Sequence, residues 1–111
     1  MSSRDELLAR RERLLAALPP LSEVVRGSFL VRRLRCGKSD RCRCGRGHLH
    51  RAAYLSVTFK GGSTEQISVP RHLEPVARTW VRNYARWWDA LERLSAVNRE
   101  LLRRRLVAPD R

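Results

Sequence analysis

The feature that most constrains this chain is a 15-residue window, residues 36–50, which holds all three cysteines and two of the three histidines. Thiolates and imidazoles close together in sequence are the ligands that a zinc ion selects, four of them in tetrahedral geometry. The spacing is Cys-x5-Cys-x-Cys-x3-His-x-His, with glycines that allow tight turns between ligands. We therefore expect a Zn²⁺ site formed by Cys36, Cys42 and Cys44, with either His48 or His50 as the fourth ligand.

This spacing differs from the Cys-x2-Cys pair of common zinc fingers, so it matches the chemistry of a zinc site rather than a known pattern. The same window also fits three free cysteines in an arginine-rich loop. Disulfide pairing is disfavoured by the odd number of cysteines and by the expected absence of a signal sequence. A catalytic zinc would need a nearby carboxylate base, yet Asp40 is the only acid between Arg26 and Arg51. We therefore expect a closed, structural site and no catalytic residues.

Positive charge is concentrated around the same window. The 111-residue chain has a formal net charge of +13, and residues 26–51 carry nine Arg or Lys against Asp40 alone, whereas residues 1–25 are balanced. Clustered positive charge indicates a polyanionic partner, nucleic acid first and an anionic membrane second. A genome biased toward arginine codons would also enrich arginine, but it would not remove acids from one segment. The residues expected to contact DNA or RNA are Arg32, Arg33, Arg35, Lys38, Arg41, Arg43, Arg46 and Arg51.

The distribution of apolar residues bears on location. No stretch approaches the roughly 18 apolar residues that a membrane span needs, so we expect no membrane association through a spanning helix. Acids near the N-terminus do not fit a secretory or transit peptide. We therefore expect a cytoplasmic protein, in which the thiols are reduced and available to a metal.

The apolar periodicity predicts an α+β fold in a single domain of residues 1–111. A capping-box pattern at Ser3 begins an amphipathic helix over residues 2–19, which ends at a pair of prolines. Residues 27–69 predict a small antiparallel sheet with a zinc-knuckle-like loop over residues 36–50. A Gly-Gly pair supplies the second turn. The three predicted strands are residues 27–35, 52–60 and 64–69.

The last third of the sequence predicts one long amphipathic helix over residues 72–107. Its apolar residues recur in alternating steps of four and three, which is the heptad pattern of helix pairing. The first helix is too short to cover this seam. The remainder is therefore expected to pack on the sheet, on a second copy of the chain, or on a protein partner. The predicted seam consists of Leu73, Ala77, Trp80, Tyr84, Trp87, Leu91, Leu94, Asn98 and Leu101.

Three tryptophans lie on this helix with arginines between them, the composition of a stacking platform for unpaired bases. Trp80 and Trp87 fall on the seam and are expected to pack in the core. Trp88 lies off the seam and is the better candidate for contact with nucleic acid. Asn98 either fixes the register of paired helices or faces solvent near a fraying end.

Several short motifs occur together over roughly residues 20–105: Gly27-Ser28, Cys36-Gly-Lys38, Cys42-Arg-Cys44, Tyr54-Leu-Ser56, Val69-Pro70, Trp80 to Tyr84 and Asn98 to Leu102. In combination they resemble a family of small basic bacterial proteins classed as a domain of unknown function. The resemblance implies zinc at the three cysteines and an association with integrases or transposases, without an activity. This chain departs from the family in having five residues rather than four between the first two cysteines. It also lacks a His-Gly-Pro and the tyrosines that follow it, so the fourth ligand stays open.

Three functions follow as hypotheses. The first is a non-enzymatic, zinc-stabilised nucleic-acid-binding protein, an accessory of mobile-element DNA transactions. The second is an assembly or adaptor protein whose heptad helix forms a coiled coil with itself or with a recombinase-like partner. The third, an enzyme, is disfavoured because the sequence offers no Cys-x-x-Cys, no carboxylate pair and no Ser-His-Asp arrangement.

Overall fold

The structure is a computed structural model that describes residues 3–34 and 50–108, except for the side chain of Leu34. It has an N-terminal helix, a three-stranded antiparallel sheet and a long C-terminal helix. The predicted α+β class is therefore confirmed. The elements are α1 (Arg4–Ala16), a 3-10 turn (Leu21–Glu23), β1 (Ser28–Leu34), β2 (His50–Thr58), β3 (Thr64–Val69), a second 3-10 turn (Arg71–Leu73) and α2 (Glu74–Arg103).

The sheet has the order β1-β2-β3, with β2 in the centre. Leu55 at the middle of β2 is the register partner of Phe29 in β1 and of Ile67 in β3. Side chains alternate between the two faces of a strand. In β2 the buried residues are Ala53, Leu55 and Val57, and the residues between them are only half-buried. One face of the sheet therefore buries the centre of β2, whereas the other face, called the open face below, has no buried residue among those described.

Glycines permit two close backbone arrangements in this unit. Gly61 and Gly62 both have positive φ, +99° and +92°, and make the turn between β2 and β3. Gly27, at φ +150°, enters β1 against β2. A Cβ at residue 27 would lie 2.9 Å from both a methyl carbon of Leu55 and the carbonyl oxygen of Ser56. A side chain there would force the strand entry to move.

The chain divides into two compact units, residues 1–23 with 83–111 and residues 24–82. The behaviour of residues 1–111 as a single domain stays a prediction. In the first unit, α1 packs against the C-terminal part of α2. Leu7, Val97 and Leu101 form its buried core. Asn83 is also buried, and its amide donates a hydrogen bond of 2.8 Å to the carbonyl oxygen of Glu23.

The C-terminal end of α2 is closed by a hydrogen-bonded cap. Arg105 adopts a positive φ of 56°. The Leu106 amide donates to the Leu101 carbonyl at 2.8 Å, and the Arg105 amide donates to the Leu102 carbonyl at 3.0 Å. This pair of bonds is a Schellman motif, which satisfies carbonyls that the helix end leaves unpaired. It explains why α2 ends at Arg103, four residues before the predicted end at residue 107. α1 likewise ends at Ala16, before the predicted residue 19.

In the first unit, three of the buried residues of α2 lie one position before a residue of the predicted seam. They are Asn83, Ala90 and Val97, next to the predicted Tyr84, Leu91 and Asn98. Of the predicted seam residues in this unit, Leu101 is buried and Tyr84, Trp87 and Leu94 are half-buried, whereas Leu91 is 50% exposed and Asn98 is exposed. Exposure of Asn98 matches one of its two predicted alternatives, and Leu91 belongs to the part of the seam that was expected to pack on a second copy or a protein partner. Burial within the chain depends on which side of α2 contacts α1. The positions that α2 buries or half-buries along this seam are Asn83, Trp87, Ala90, Leu94, Val97, Leu101 and Arg104.

Candidate nucleic-acid interface

Most of the predicted site lies outside the described residues. This applies to the zinc ligands Cys36, Cys42, Cys44 and His48, and to the basic residues Arg35, Lys38, Arg41, Arg43 and Arg46. The predicted site residues that the structure describes are His50, Arg32, Arg33, Arg51 and Trp88.

The sheet brings together the two described residues that flank the segment 35–49. Leu34, the last residue of β1, is the register partner of His50, the first residue of β2. Partner Cα atoms in an antiparallel pair are about 5 Å apart. The segment 35–49 therefore leaves and re-enters the sheet at neighbouring positions, as a loop that wraps one ion requires. Within residues 3–34 and 50–108, no three His, Cys, Asp or Glu side chains are grouped to hold a metal, and the zinc site stays a prediction.

Two predicted phosphate contacts precede this loop. Arg32 and Arg33 are both exposed, and as successive strand residues they lie on opposite faces of the sheet. Arg32 is on the open face, where its guanidinium carbon lies 5.8 Å from the centroid of the Tyr54 ring. Arg33 is the register partner of Arg51. The structure therefore presents positive charge on both faces at the end of the sheet from which the segment 35–49 leaves.

Arg51 is engaged inside the protein. Its guanidinium donates two hydrogen bonds to the carboxylate of Glu74, at 2.5 and 2.6 Å. The Arg51 side chain is 27% exposed and that of Glu74 is 10% exposed. This bidentate pair ties the first turn of α2 to the start of β2. Arg51 is thus a structural residue as well as a predicted phosphate contact, and its carboxylate partner competes with any phosphate.

The same pair shifts both ionisation equilibria. The hydrogen bonds from Arg51 hold the pKa of Glu74 below its ordinary value of 4.5. Hydrogen bonding to Glu74 likewise raises the pKa of Arg51 above its ordinary value. Both shifts favour the charged forms, so the ion pair stabilises the fold at neutral pH.

We expect Glu74→Gln to lower the melting temperature at about pH 7, because it weakens the bond to Arg51. A carboxylate whose pKa is depressed by folding stabilises the fold above its unfolded-state pKa, and that stability is lost as the pH falls through the folded-state pKa. The difference in melting temperature between the wild type and Glu74→Gln should therefore shrink on acidification below pH 4.5. Thermal unfolding followed by circular dichroism measures this. The control is Glu65→Gln, at an exposed carboxylate on β3. A difference that is constant with pH would contradict the assignment.

The open face of the sheet adds side chains that the sequence analysis did not assign to the site. Tyr54 lies at its centre, with Leu30 and Ser68 as cross-strand partners. None of the described residues on this face is buried, and none is acidic. The sequence did contain a signal for this surface. On the side of β2 that alternation leaves open, the aromatic Tyr54 stands between the small residues Ala52 and Ser56. The remaining described residues of the open face are Ser28, Arg32, His50, Thr58, Thr64 and Gln66.

Trp88 belongs to the first unit. It is 54% exposed, as predicted, and it makes an edge-to-face contact with Tyr84 at a centroid distance of 6.3 Å. Trp87 is half-buried and donates its indole N–H to the Pro19 carbonyl at 3.0 Å, consistent with packing. Trp80, in the second unit, is 36% exposed, so the expectation of core packing holds only in part.

The fold defines a small α+β protein in which a basic, cysteine-containing stretch of sequence, residues 35–49, separates β1 from β2. A family model described as a domain of unknown function, DUF6788, matches residues 4–79. The chain belongs to this family, and the predicted membership of a family of unknown function is confirmed. Comparisons with curated proteins and with solved structures gave no match. In the part of the chain that the structure describes, no helix has the length and apolar character to cross a membrane.

Proposed function

We propose that this protein is a non-enzymatic nucleic-acid-binding protein in which Zn²⁺ organises the basic connection between β1 and β2. The observation that carries this proposal is the pairing of Leu34 with His50, beside the exposed Arg32 and Arg33. Between these anchors the sequence holds three cysteines and five Arg or Lys residues against Asp40 alone. A metal at this place would fix charges that an unliganded loop would hold only loosely.

The donor set fits the metal. Cys36, Cys42, Cys44 and one of His48 or His50 would supply the sulfur and nitrogen ligands of a closed tetrahedral zinc site. When bound, the ion fixes the geometry of the loop and supplies part of the folding free energy of the segment. The arginines then contact phosphates. Phosphate contacts position a protein on nucleic acid without specifying sequence, so we expect weak sequence preference. An accessory role in mobile-element DNA transactions is consistent with such a binding mode.

The experiment that tests the proposal combines metal content with binding. We expect the double variant Cys42→Ser, Cys44→Ser to lose its zinc and to bind a mixed-sequence DNA duplex at least about tenfold more weakly, because the ligands that order the loop are gone. Elemental analysis measures zinc per chain, and fluorescence anisotropy measures affinity. Ser39→Ala, in the same window but without ligand chemistry, should match the wild type in both. Wild-type protein without zinc, or variant binding as tight as that of the wild type, would refute the zinc-ordered loop.

A second function, self-assembly through α2, is favoured by exposed apolar residues on a side of α2 that α1 does not cover. Trp88, Leu91 and Leu102 are 54%, 50% and 67% exposed, and they fit the heptad positions of a second stripe. Along one flank of this stripe, the residues toward the N-terminal end are acidic and those toward the C-terminal end are basic. An antiparallel second copy would place the acids of each chain opposite the bases of the other. The flanking residues are Asp89, Glu92, Arg99 and Arg103.

We expect Leu91→Asp to convert a dimer into a monomer in light scattering, because a charge would enter the centre of the paired stripe. Leu94 is half-buried on the α1 side, so an acid there would also disturb the first unit and is the poorer probe. Arg93→Gln, at an exposed residue on the opposite side of α2 from this stripe, is the control. Wild-type protein that is monomeric at high concentration would exclude this second function.

A further inference from the structure

We propose that the open face of the sheet binds an unpaired nucleic-acid strand, with a base stacked on Tyr54 and the adjoining phosphate held by Arg32. This inference rests on the proposed function and names the form of nucleic acid that this face takes. It assigns the role to Tyr54, a residue outside the basic connection.

The first argument is the shape of the surface around Tyr54. The ring rises from the central strand of the sheet, half-buried. Its neighbours two residues away along β2 on the same face are Ala52 and Ser56, and its partner on β3 is Ser68. These side chains are small, so they leave room beside the ring for a planar group. Leu30 is the register partner of Tyr54 on β1, and the Arg32 guanidinium carbon lies 5.8 Å from the ring centroid, so a stacked base would share the ring with this cation. Aromatic rings on an open sheet are the surface on which unpaired bases stack in single-strand-binding proteins.

The second argument is the order of charge along the face. Arg32 and its partner Ala52 come one side-chain row after Tyr54, and His50 comes one row later. A row of two residues advances about 7 Å along a strand. The sequence of rows therefore leads from an aromatic ring to a guanidinium and then to the entrance of the arginine-rich segment 35–49. A nucleic-acid strand lying along this direction would stack a base on Tyr54 and then run toward Arg32 and the arginine-rich segment of the sequence.

The third argument is charge complementarity with a polyanion. The described residues of the open face carry the positive charge of Arg32 and no acid. The acids of the sheet region, Glu65 and Glu74, do not lie on this face: Glu65 alternates to the other side of β3, and Glu74 pairs with Arg51. The other polar side chains described on this face carry hydroxyl, amide and imidazole groups, which can hydrogen-bond base edges or sugars. A protein partner would need an apolar centre here, and this face offers little beyond Leu30.

The chemistry favours a single strand over a duplex. In a duplex both faces of each base are already covered by its neighbours, so a tyrosine on a sheet cannot reach them. An unpaired base has a free π-face, and losing one base–aromatic stack typically weakens binding about 5- to 150-fold. Duplex binding, by contrast, depends on phosphates and should not depend on the Tyr54 ring.

The test compares Tyr54→Leu with Tyr54→Phe against three fluorescent probes: a short mixed-sequence single-stranded DNA, the RNA of the same sequence, and the DNA duplex. We expect Tyr54→Leu to weaken single-strand binding at least about fivefold while leaving duplex binding within about twofold, and Tyr54→Phe, which keeps the ring, to match the wild type. Phe59→Leu, an exposed aromatic beside the β2-β3 turn, is the matched control and should change none of the three affinities. The ranking of DNA and RNA identifies the sugar that this face prefers.

A second readout does not depend on the stability of a variant. We expect a strand substituted with 5-iodouracil to photo-crosslink wild-type protein at Tyr54, mapped by mass spectrometry. Cross-linking elsewhere, or equal loss of single-strand and duplex binding in Tyr54→Leu, would overturn the stacking role. If Tyr54→Leu binds all probes like the wild type, this inference fails and the basic-loop function stands. If wild-type protein binds no probe at low salt, the proposed function itself fails.

Discussion

Replacing Leu101 with alanine is expected to lower the free energy of unfolding of the first unit by about 2–5 kcal/mol. Leu101 is only 1% exposed and belongs to the core that joins α2 to α1 through Leu7 and Val97. Truncation removes apolar contacts and leaves a cavity that neighbouring side chains fill only in part. The Leu101 carbonyl also accepts the cap bond from Leu106, which packs on the same core.

The adjacent residue supplies a matched control for this prediction. Leu102 has the same side chain, lies on the same helix and is 67% exposed. Leu102→Ala should change the free energy of unfolding by less than about 0.5 kcal/mol. Urea denaturation followed by circular dichroism measures both variants. Equal effects at residues 101 and 102 would show that Leu7, Val97 and Leu101 do not form the core of the first unit.

The second large effect is expected in the salt dependence of duplex binding. Six phosphate contacts give a slope of roughly −5 for log affinity against log salt, so affinity should fall about a thousandfold between about 50 and 200 mM salt. Because Arg51 is held by Glu74, we expect the six contacts to come from the other basic residues around the loop. These are Arg32, Arg33, Arg35, Lys38, Arg41, Arg43 and Arg46.

Single charge removals test which residues contribute to that slope. Arg33→Gln should reduce its magnitude by about 1, because one phosphate contact is lost. Arg93→Gln removes the same charge from an exposed helical residue that is paired with Asp89 in the first unit, and it should leave the slope unchanged. Anisotropy titrations at several salt concentrations supply both values. A wild-type slope near zero would mean that the positive charge does not serve nucleic-acid binding.

The local pattern of apolar, polar and glycine residues was sufficient to predict the secondary structure. The α+β class, the three strands and the turn at Gly61-Gly62 follow from alternation, β-forming residues and glycine conformation, all of which are properties of neighbouring residues. The structure confirms them. The candidate site was less predictable. Charge and cysteine spacing identify the loop from sequence, but they do not show that Arg51 is committed to Glu74 or that Tyr54 stands on an open face.

Reading along the chain was enough to assign the helices and strands, the concentration of positive charge and the cluster of cysteine and histidine side chains from which a metal site is proposed. Those properties depend on residues that are near one another along the chain. Only the tertiary structure decided that α2 buries Ala90 and Val97 in place of Leu91 and Asn98, because burial depends on the direction from which α1 packs. It also decided that Glu74 neutralises Arg51, 23 residues away. A pattern along one helix or strand does not specify its neighbour, and the neighbour determines which side is buried and which side is left to bind a partner.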